Sequence, residues 1–504
     1  MTSASESLLT LLRDGDEHLR QGRGTQADAC FREVLEQQPD NTRALHRRGA
    51  IAFLRGDPGE AIVLLRRAVS TRNDDPTLCA HLANALAACG QLDEAITFWQ
   101  RALESAPDYA TAHLRLGDAY FAKGDTQASE SAYRKSISLA PDDPRGFIGL
   151  GRILHSSNRD REAEATLERA LEVGDGTPEV CNLVATVLLE AGGAEAALAL
   201  FERAAREQPD EPQGHAGRGL ALHWLARPDE AEDAYRRALE IDPDYPLALK
   251  HLGVLLQERD RLDAAAECFE KLLQVNPDDD VARHMLAATT GAITPAAPAG
   301  YVTRLFDDYA DRFDAHLGTI DYHVPERIRD ALAEVAGSNQ LAWRILDLGC
   351  GTGQCGEAVR PLAVFLAGVD LSSRMIAKAR QRDVYDSLMV GSIDDALAGQ
   401  EQSYDAIVAG DTFIYVGDLS GILAACARAL RAHGSMAFSV ENTDGDTYRL
   451  CPTGRYAHSV AYIDATAGDS GMCVVYRRDI IIRVDPAPIQ GQIVVLSKAV
   501  RDKA

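Results

Sequence analysis

At 504 residues the chain is too long for one ordinary domain, and about 150 residues per domain predicts two to four units. Its formal net charge of −24 argues against a protein built to coat nucleic acid or an anionic membrane, because either needs clustered basic residues. The 10 cysteines form no Cys-x-x-Cys pair and no histidine cluster has metal-ligand spacing, so reduced thiols and no metal site are expected.

The first twenty residues lack the basic start and apolar middle of a signal peptide, and no later apolar run reaches the length of a membrane span, about 18 residues. The expectation is a soluble, cytoplasmic protein that binds neither membrane nor nucleic acid. A strict period follows. Pro39, Pro107, Pro141, Pro209, Pro243 and Pro277 lie on one lattice whose step is 34 residues, with the turn formers Asn73 and Asp175 at its remaining points. Twelve residues before each point stands a small residue: Ala27, Ala61, Ala95, Ser129, Ala163, Ala197, Ala231 or Ala265. Four residues after each of these comes a large one: Phe31, Leu65, Trp99, Tyr133, Leu167, Phe201, Tyr235 or Phe269. A third column, Gly15, Gly49, Gly117, Gly151, Gly219 and Gly253, with Ala83 and Ala185 substituting, supplies a small contact on the preceding helix. Small against large at this spacing is how helices approach closely, so each unit is read as helix, turn, helix.

With Leu-Gly at 116–117, 150–151 and 252–253, this array resembles the tetratricopeptide repeat over about residues 8 to 278, in eight units. A helix around 279–291 is expected to cap the stack. The resemblance implies a concave groove lined by Arg43, His46, Arg47, His81, Asn84, Arg115, Arg145, Arg152, His155, Lys250 and His251. That polar, locally basic surface suits an extended peptide or protein partner, and equally an ordinary solvated face.

ITPAAPAG at 293–300 reads as a linker, giving a helical array over 1–291 and a second domain over 301–504. From 344 onward strand-like runs alternate with helical ones: RILDL, a helix from about 354, VFLAGVD, a helix near 373–382, SLMVG, YDAIVAG, a helix near 418–432, and SMAFSVE. Alternation of this kind implies an α/β domain with a mostly parallel sheet covered on both faces. CVVYRRDIIIRV and IQGQIVVLSKA leave no room for a helix between them and should pair as an antiparallel hairpin at one sheet edge.

RILDL ends in Asp347, and Gly349, Gly351 and Gly353 form the turn into the next helix. Bare backbone there lets the chain bend sharply and approach a ligand where an open parallel sheet binds cofactors. VFLAGVD ends in Asp370, placed to accept hydrogen bonds from two ribose hydroxyls. A dinucleotide frame exists, Gly351-x-Gly353-x-x-Gly356 with an acid further on, but it starts late for a strand ending at Asp347, and a closing antiparallel hairpin is not expected of a dehydrogenase.

ILDLGCGTG followed by GVDLSSRMIAKAR resembles the class I S-adenosylmethionine-dependent methyltransferases over about residues 301 to 499, with a Rossmann-like fold. The resemblance implies that Asp347, Gly349, Cys350, Gly351 and Gly353 hold the methionine part of S-adenosylmethionine, that Asp370 grips the ribose, and that Leu371 and Met375 flank the adenine. Ser392 stands where that family commonly has an acid, leaving Ser392 and Ile393 as adenine contacts. The whole chain resembles the predicted methyltransferases that carry tetratricopeptide repeats. In them YVTRLFDDYADRFDAHL, 301–317, would fold over the cofactor with Tyr301, Tyr309 and Phe313 as contacts, and GRYAHSVAY, 454–462, fits a late motif.

A sulfonium methyl is already electrophilic, so the protein mainly aligns a nucleophile and excludes water. Asp411, His458 and His316 are the candidate bases, with Tyr415 near the acceptor. Three readings result: methylation of an oxygen or nitrogen on a peptide, protein or carrier-bound substrate held by the groove; methylation of a small molecule, with the repeats serving assembly; and a scaffold with an inactive domain. The intact loop and Asp370 disfavour the scaffold.

Overall fold

A computed structural model describes residues 3–72, 74–310, 312–320, 322–337, 342–484 and 487–498, so Asn73 of the turn lattice lies outside the described residues. The chain divides into two compact units, Met1–Ala226 and Arg227–Ala504.

The first unit consists of helices packed on their neighbours in the chain, from Ser3–Arg20 to Pro212–Trp224, the last being the first helix of a repeat whose second helix falls in the other unit. Lattice prolines such as Pro39 and Pro141 occupy the turns, and two residues later Asn41 and Asp143 cap the next helix by accepting from the backbone N–H of Ala44 and Arg145. The small column is buried throughout, and a Cβ on Gly49 would lie 2.7 Å from Leu65, one on Gly117 2.6 Å from Tyr133. Ser129, the one polar member of its column, donates Oγ–H to the Gly117 carbonyl at 2.8 Å, which satisfies a hydroxyl that alanine elsewhere avoids.

In the first unit the charged residues expected to line a groove are neutralised. Asp16 binds both Arg43 and Arg47, Arg115 pairs with Asp118, Arg145 with Asp143, Arg152 with Glu190 and His155 with Asp160. His46 and His81 share a hydrogen bond of 2.6 Å, and burial pushes His46 down to about 4, so the pair is uncharged at neutral pH. Asn84 accepts from the Trp99 indole N–H at 3.2 Å. The expected basic surface is therefore locally balanced.

The second unit opens with the helices Pro228–Ile241, Pro246–Glu258, Leu262–Val275 and Asp280–Thr290, so the last repeats fold with the α/β part. The last of these is not an exposed cap: His284 Nε2 donates to the Gly454 carbonyl at 2.8 Å, and its ring lies 5.1 Å from Tyr301. Nor is 293–300 a free tether. Pro295 O accepts the N–H groups of Gly417 and Asp418, Ala297 N–H binds Tyr415 O, and the Thr294 hydroxyl meets Tyr456 OH at 2.5 Å.

The sheet strands are β1 (Trp343–Leu348), β2 (Ala363–Asp370), β3 (Ser387–Val390), β4 (Tyr404–Ala409), β5 (Leu430–Asn442), β6 (Tyr448–Leu450), β7 (Tyr456–His458), β8 (Met472–Val484) and β9 (Pro488–Lys498). Their order runs β3-β2-β1-β4-β5, all parallel, and β9 then pairs antiparallel with β5 and with β8. Alternate residues feed two cores: Leu346, Ile407 and Phe438 on one face, Ile345, Val408 and Ala437 on the other. Burial on both faces explains why these strands read as near-continuous apolar runs.

Candidate functional site

The site forms along the C-terminal ends of β1, β2 and β4. Gly349, Gly351 and Gly353 all have positive φ, +65°, +53° and +95°, conformations that side chains resist. A Cβ on Gly349 would lie 2.5 Å from Thr412, which itself donates to Leu348 O at 2.7 Å, so glycine also lets the loops after β1 and β4 touch. At Gly351 the only neighbour among the described residues that a Cβ would meet is Phe313, at 4.0 Å, so that ring roofs the bare loop without crowding it.

Asp370 ties two loops together. Its Oδ2 accepts the Gly351 N–H and its Oδ1 the Ser372 N–H, both at 2.9 Å. Burial raises its pKa, and these two N–H groups oppose the rise. Each carboxylate oxygen retains a second acceptor position.

The described residues of the segment 299–317 fold over these loops. On its helix Ala299–Tyr309, Asp307 accepts from Ser372 Oγ at 2.6 Å. On the short helix Phe313–Leu317, Asp314 accepts from Thr352 Oγ1 at 2.5 Å, Gln354 Nε2 at 2.9 Å and Arg382 Nη2 at 2.6 Å. Phe313, Phe306 and Tyr415 continue as an edge-to-face row with centroid separations of 6.0 and 5.4 Å. Tyr309 packs on Phe313 and His316, whereas Tyr301 turns to His284.

Several predicted residues take other posts. Asp347 is fully buried beneath the loop, its Oδ2 accepting from Tyr385 OH at 2.7 Å while Oδ1 makes no hydrogen bond of proper geometry, although Gly356 N–H lies near. Burial pushes its carboxyl up to about 7. Met375 is also fully buried and forms floor, as does Cys350, whose thiol burial pushes up; Leu371 and Ile393 are half-buried at the rim. Ser392 caps the helix Ile393–Leu397 in a reciprocal pair with Asp395, so its hydroxyl is already engaged.

His458 does not face a substrate. It is fully buried, bonds Gly417 O through Nε2 at 3.0 Å and stacks on Tyr462, and burial lowers its pKa to about 4, which leaves it neutral and structural. Asp411 does stand at the end of β4, but Arg483 Nη1 binds its Oδ2 at 2.9 Å and Arg483 also holds Glu441. His316 is half-buried on the covering segment. Sequence reading passed over Asp307, Asp314, Thr412, Tyr385 and Arg483. Only their positions in the fold reveal them, since acids and arginines in such places look like surface residues.

An open sheet with five parallel strands in this order and a closing antiparallel hairpin beside β5, with an acid at the end of β2 bonded to the glycine loop after β1, defines a class I methyltransferase domain, whose cofactor is S-adenosylmethionine. The chain is a tetratricopeptide-repeat protein carrying such a domain. Residues 346–438 match the family described as Methyltransferase domain, 225–289 match Tetratricopeptide repeat, and 2–221 match the Cilia and flagella-associated protein 70 C-terminal domain. The chain is 30% identical over 115 residues to a ubiquinone biosynthesis O-methyltransferase of Xanthomonas oryzae pv. oryzae (strain PXO99A), covering 22% of this chain and 48% of that protein. It is 30% identical over 137 residues to the enzyme of that name from Thiobacillus denitrificans (strain ATCC 25259 / T1), covering 26% and 56%. The chain thus spans about half the length of the curated relatives it matches. Among solved structures, yeast Tom70 is similar at a TM-score of 0.46 and 18% identity, over 53% of this chain and 59% of that one.

The residues present suit that cofactor. The space over Gly351 accepts a ligand where any side chain would intrude, and the free acceptor positions of Asp370 match two neighbouring hydroxyls.

Proposed function

We propose that this protein transfers a methyl group from S-adenosylmethionine to an oxygen or nitrogen of an acceptor carried on a peptide, protein or carrier that the repeats recruit. The observation that carries the enzymatic part is Asp370, fixed by the Gly351 and Ser372 N–H groups, which leaves each carboxylate oxygen an acceptor position that would suit a ribose hydroxyl. When bound, S-adenosylmethionine supplies a methyl group already activated as a sulfonium. What the chain contributes is alignment and exclusion of water. Gly349, Gly351 and Gly353 would cradle the methionine part, Leu371 and Ile393 would border the adenine, and Asp307 and Asp314 would hold the covering segment down with Phe313 and Tyr309 on its inner side. Of the candidate bases, His458 is packed away and Asp411 is engaged by Arg483. His316, half-buried beside Tyr309, is the group best placed to take a proton.

A second reading is methylation of a small hydroxylated molecule, with the repeats serving assembly. It is supported by the relatives, named as O-methyltransferases, and by the ion pairing of the groove arginines, which leaves little free charge for an anionic peptide. Incubating the purified chain with methyl-labelled S-adenosylmethionine and a soluble extract separates the two. Label in acid-precipitable material supports the first reading, label confined to small molecules supports the second, and no transfer beyond an Asp370→Ala control refutes both.

A further inference from the structure

Beyond the end of β4 the structure holds a cation, Arg455, whose side chain has no hydrogen-bond or ion-pair partner among the described residues. β4 pairs with β5 up to Ala409↔Phe438, and β7 pairs with β5, also parallel, only at Glu441↔Ala457 and Asn442↔His458. The other edge of β5 is taken by β9 from Ser435 to Glu441. β7 therefore occupies the edge that β4 leaves, and its first residue faces the end of β4, where Asp411 and the turn Phe413–Tyr415 lie. β7 packs on that turn, and His458 fastens it to Gly417 O at 3.0 Å. Arg455 immediately precedes β7.

Arg455 is half-buried and, among the described residues, makes neither a side-chain hydrogen bond nor an ion pair; the other arginines of this unit without a partner among them are all exposed. Its charge favours the ionised forms of Asp411 at the end of β4, of Tyr415 in the following turn and of Tyr301 on the covering helix, in each case against the larger effect of burial. The carboxylate among these is committed elsewhere: Arg483 binds Asp411 and Glu441 together. Its backbone is constrained. Arg455 O accepts from Cys451 N–H at 2.8 Å, and the preceding Gly454 has φ +76° with its carbonyl held by His284.

A guanidinium offers five donors in a planar fork that matches a carboxylate or phosphate, and withdrawing it from water without a partner is costly. An ordinary surface arginine would extend into solvent. This one immediately precedes β7, which packs on the turn carrying Tyr415, the end of the aromatic row that begins over Gly351. We propose that Arg455 recognises an oxyanion, carboxylate or phosphate, on the acceptor substrate and so positions its nucleophile beside Tyr415. The proposal rests on the methyltransferase reading and narrows its substrate to an acid or a phosphorylated compound.

Calorimetric titration of the full chain tests it, with benzoate, phenyl phosphate and neutral benzamide as probes, each with and without S-adenosylhomocysteine. One of the two anions is expected to bind more tightly than benzamide, and which one binds identifies the group. Arg455→Gln should weaken that anion tenfold or more, and Arg455→Lys, which keeps the charge but not the fork, about threefold or more, while S-adenosylhomocysteine affinity stays unchanged. The Lys variant carries the test should Arg455→Gln not fold. Anion binding no better than benzamide, or within twofold of wild type in both variants, overturns the proposal. Failure of S-adenosylhomocysteine to bind overturns the methyltransferase reading instead.

Discussion

Gly351 donates its backbone N–H to Asp370 at 2.9 Å, so the loop after β1 and the loop after β2 are held by one carboxylate. Replacing Asp370 with Asn removes the charge and presents an amide N–H to a donor, while Ala removes the link altogether. Charge-assisted hydrogen bonds contribute about 1.5–3 kcal/mol each, so S-adenosylmethionine affinity should fall at least tenfold in Asp370→Asn and further in Asp370→Ala. Calorimetry measures this, with far-ultraviolet circular dichroism confirming that the helical repeats are intact. Unchanged affinity in Asp370→Ala would remove the site assignment.

Asp314 fastens the covering segment to three donors on two elements, Thr352, Gln354 and Arg382. The carboxylate is exposed, and exposed pairs stabilise a fold only slightly, roughly 0.2–1 kcal/mol. Their larger effect should be on opening. Asp314→Ala is expected to accelerate cofactor dissociation several-fold in stopped-flow measurements while shifting the melting temperature by no more than a few degrees. A dissociation rate equal to wild type would show that the segment does not gate the site.

The repeat period and the loop chemistry were legible in the sequence because each rests on backbone requirements that few residues meet. The Gly117–Tyr133 contact recurs at fixed spacing, and Gly349 and Gly351 sit at positive φ, which side chains resist, with Thr412 also leaving no room for a Cβ on Gly349. Strand polarity and the closing hairpin followed from chain length between apolar runs. What the sequence hid depended on distance in space. Ser392 reads as a ligand contact until its reciprocal bond with Asp395 is seen, and His458 reads as a base until its burial is seen. The proline-containing stretch 293–300 reads as a tether, although its backbone groups pair with the loop after β4. No local pattern announces a partner more than a hundred residues away.

Asp347 lies under the glycine loop with its carboxyl raised from 3.8 to about 7 by burial. A raised carboxyl pKa means that the folded chain holds the proton more tightly than the unfolded one. Its stabilising contribution is complete below about pH 3.8 and is lost as pH rises through 7. Asn at this position stays neutral and can still accept from Tyr385 OH. The stability of Asp347→Asn relative to wild type should therefore rise by roughly 2–3 kcal/mol between pH 5 and 8. Urea unfolding monitored on the second unit at several pH values measures the difference, and a pH-independent gap would place the carboxyl in its ordinary range.

The turn between the two helices of each repeat needs one residue in the left-handed region. Gly22, Gly56, Gly90, Gly124 and Gly192 fill it with φ between +70° and +83°, and Asn158 and Asp260 fill it at +57°. Asn and Asp tolerate that conformation because their short polar side chains bond locally, but Ala226, at +53°, has no such compensation. The Cβ of an L-residue there costs roughly 1–2 kcal/mol, part of which glycine gives back through its greater freedom in the unfolded chain. Ala226→Gly should thus stabilise the protein by about 0.5–1 kcal/mol, an unusual sign for a glycine introduced into a helical protein. Chemical denaturation of the two proteins decides the matter: a loss of stability on introducing glycine would mean that the turn relaxes out of the left-handed region in solution.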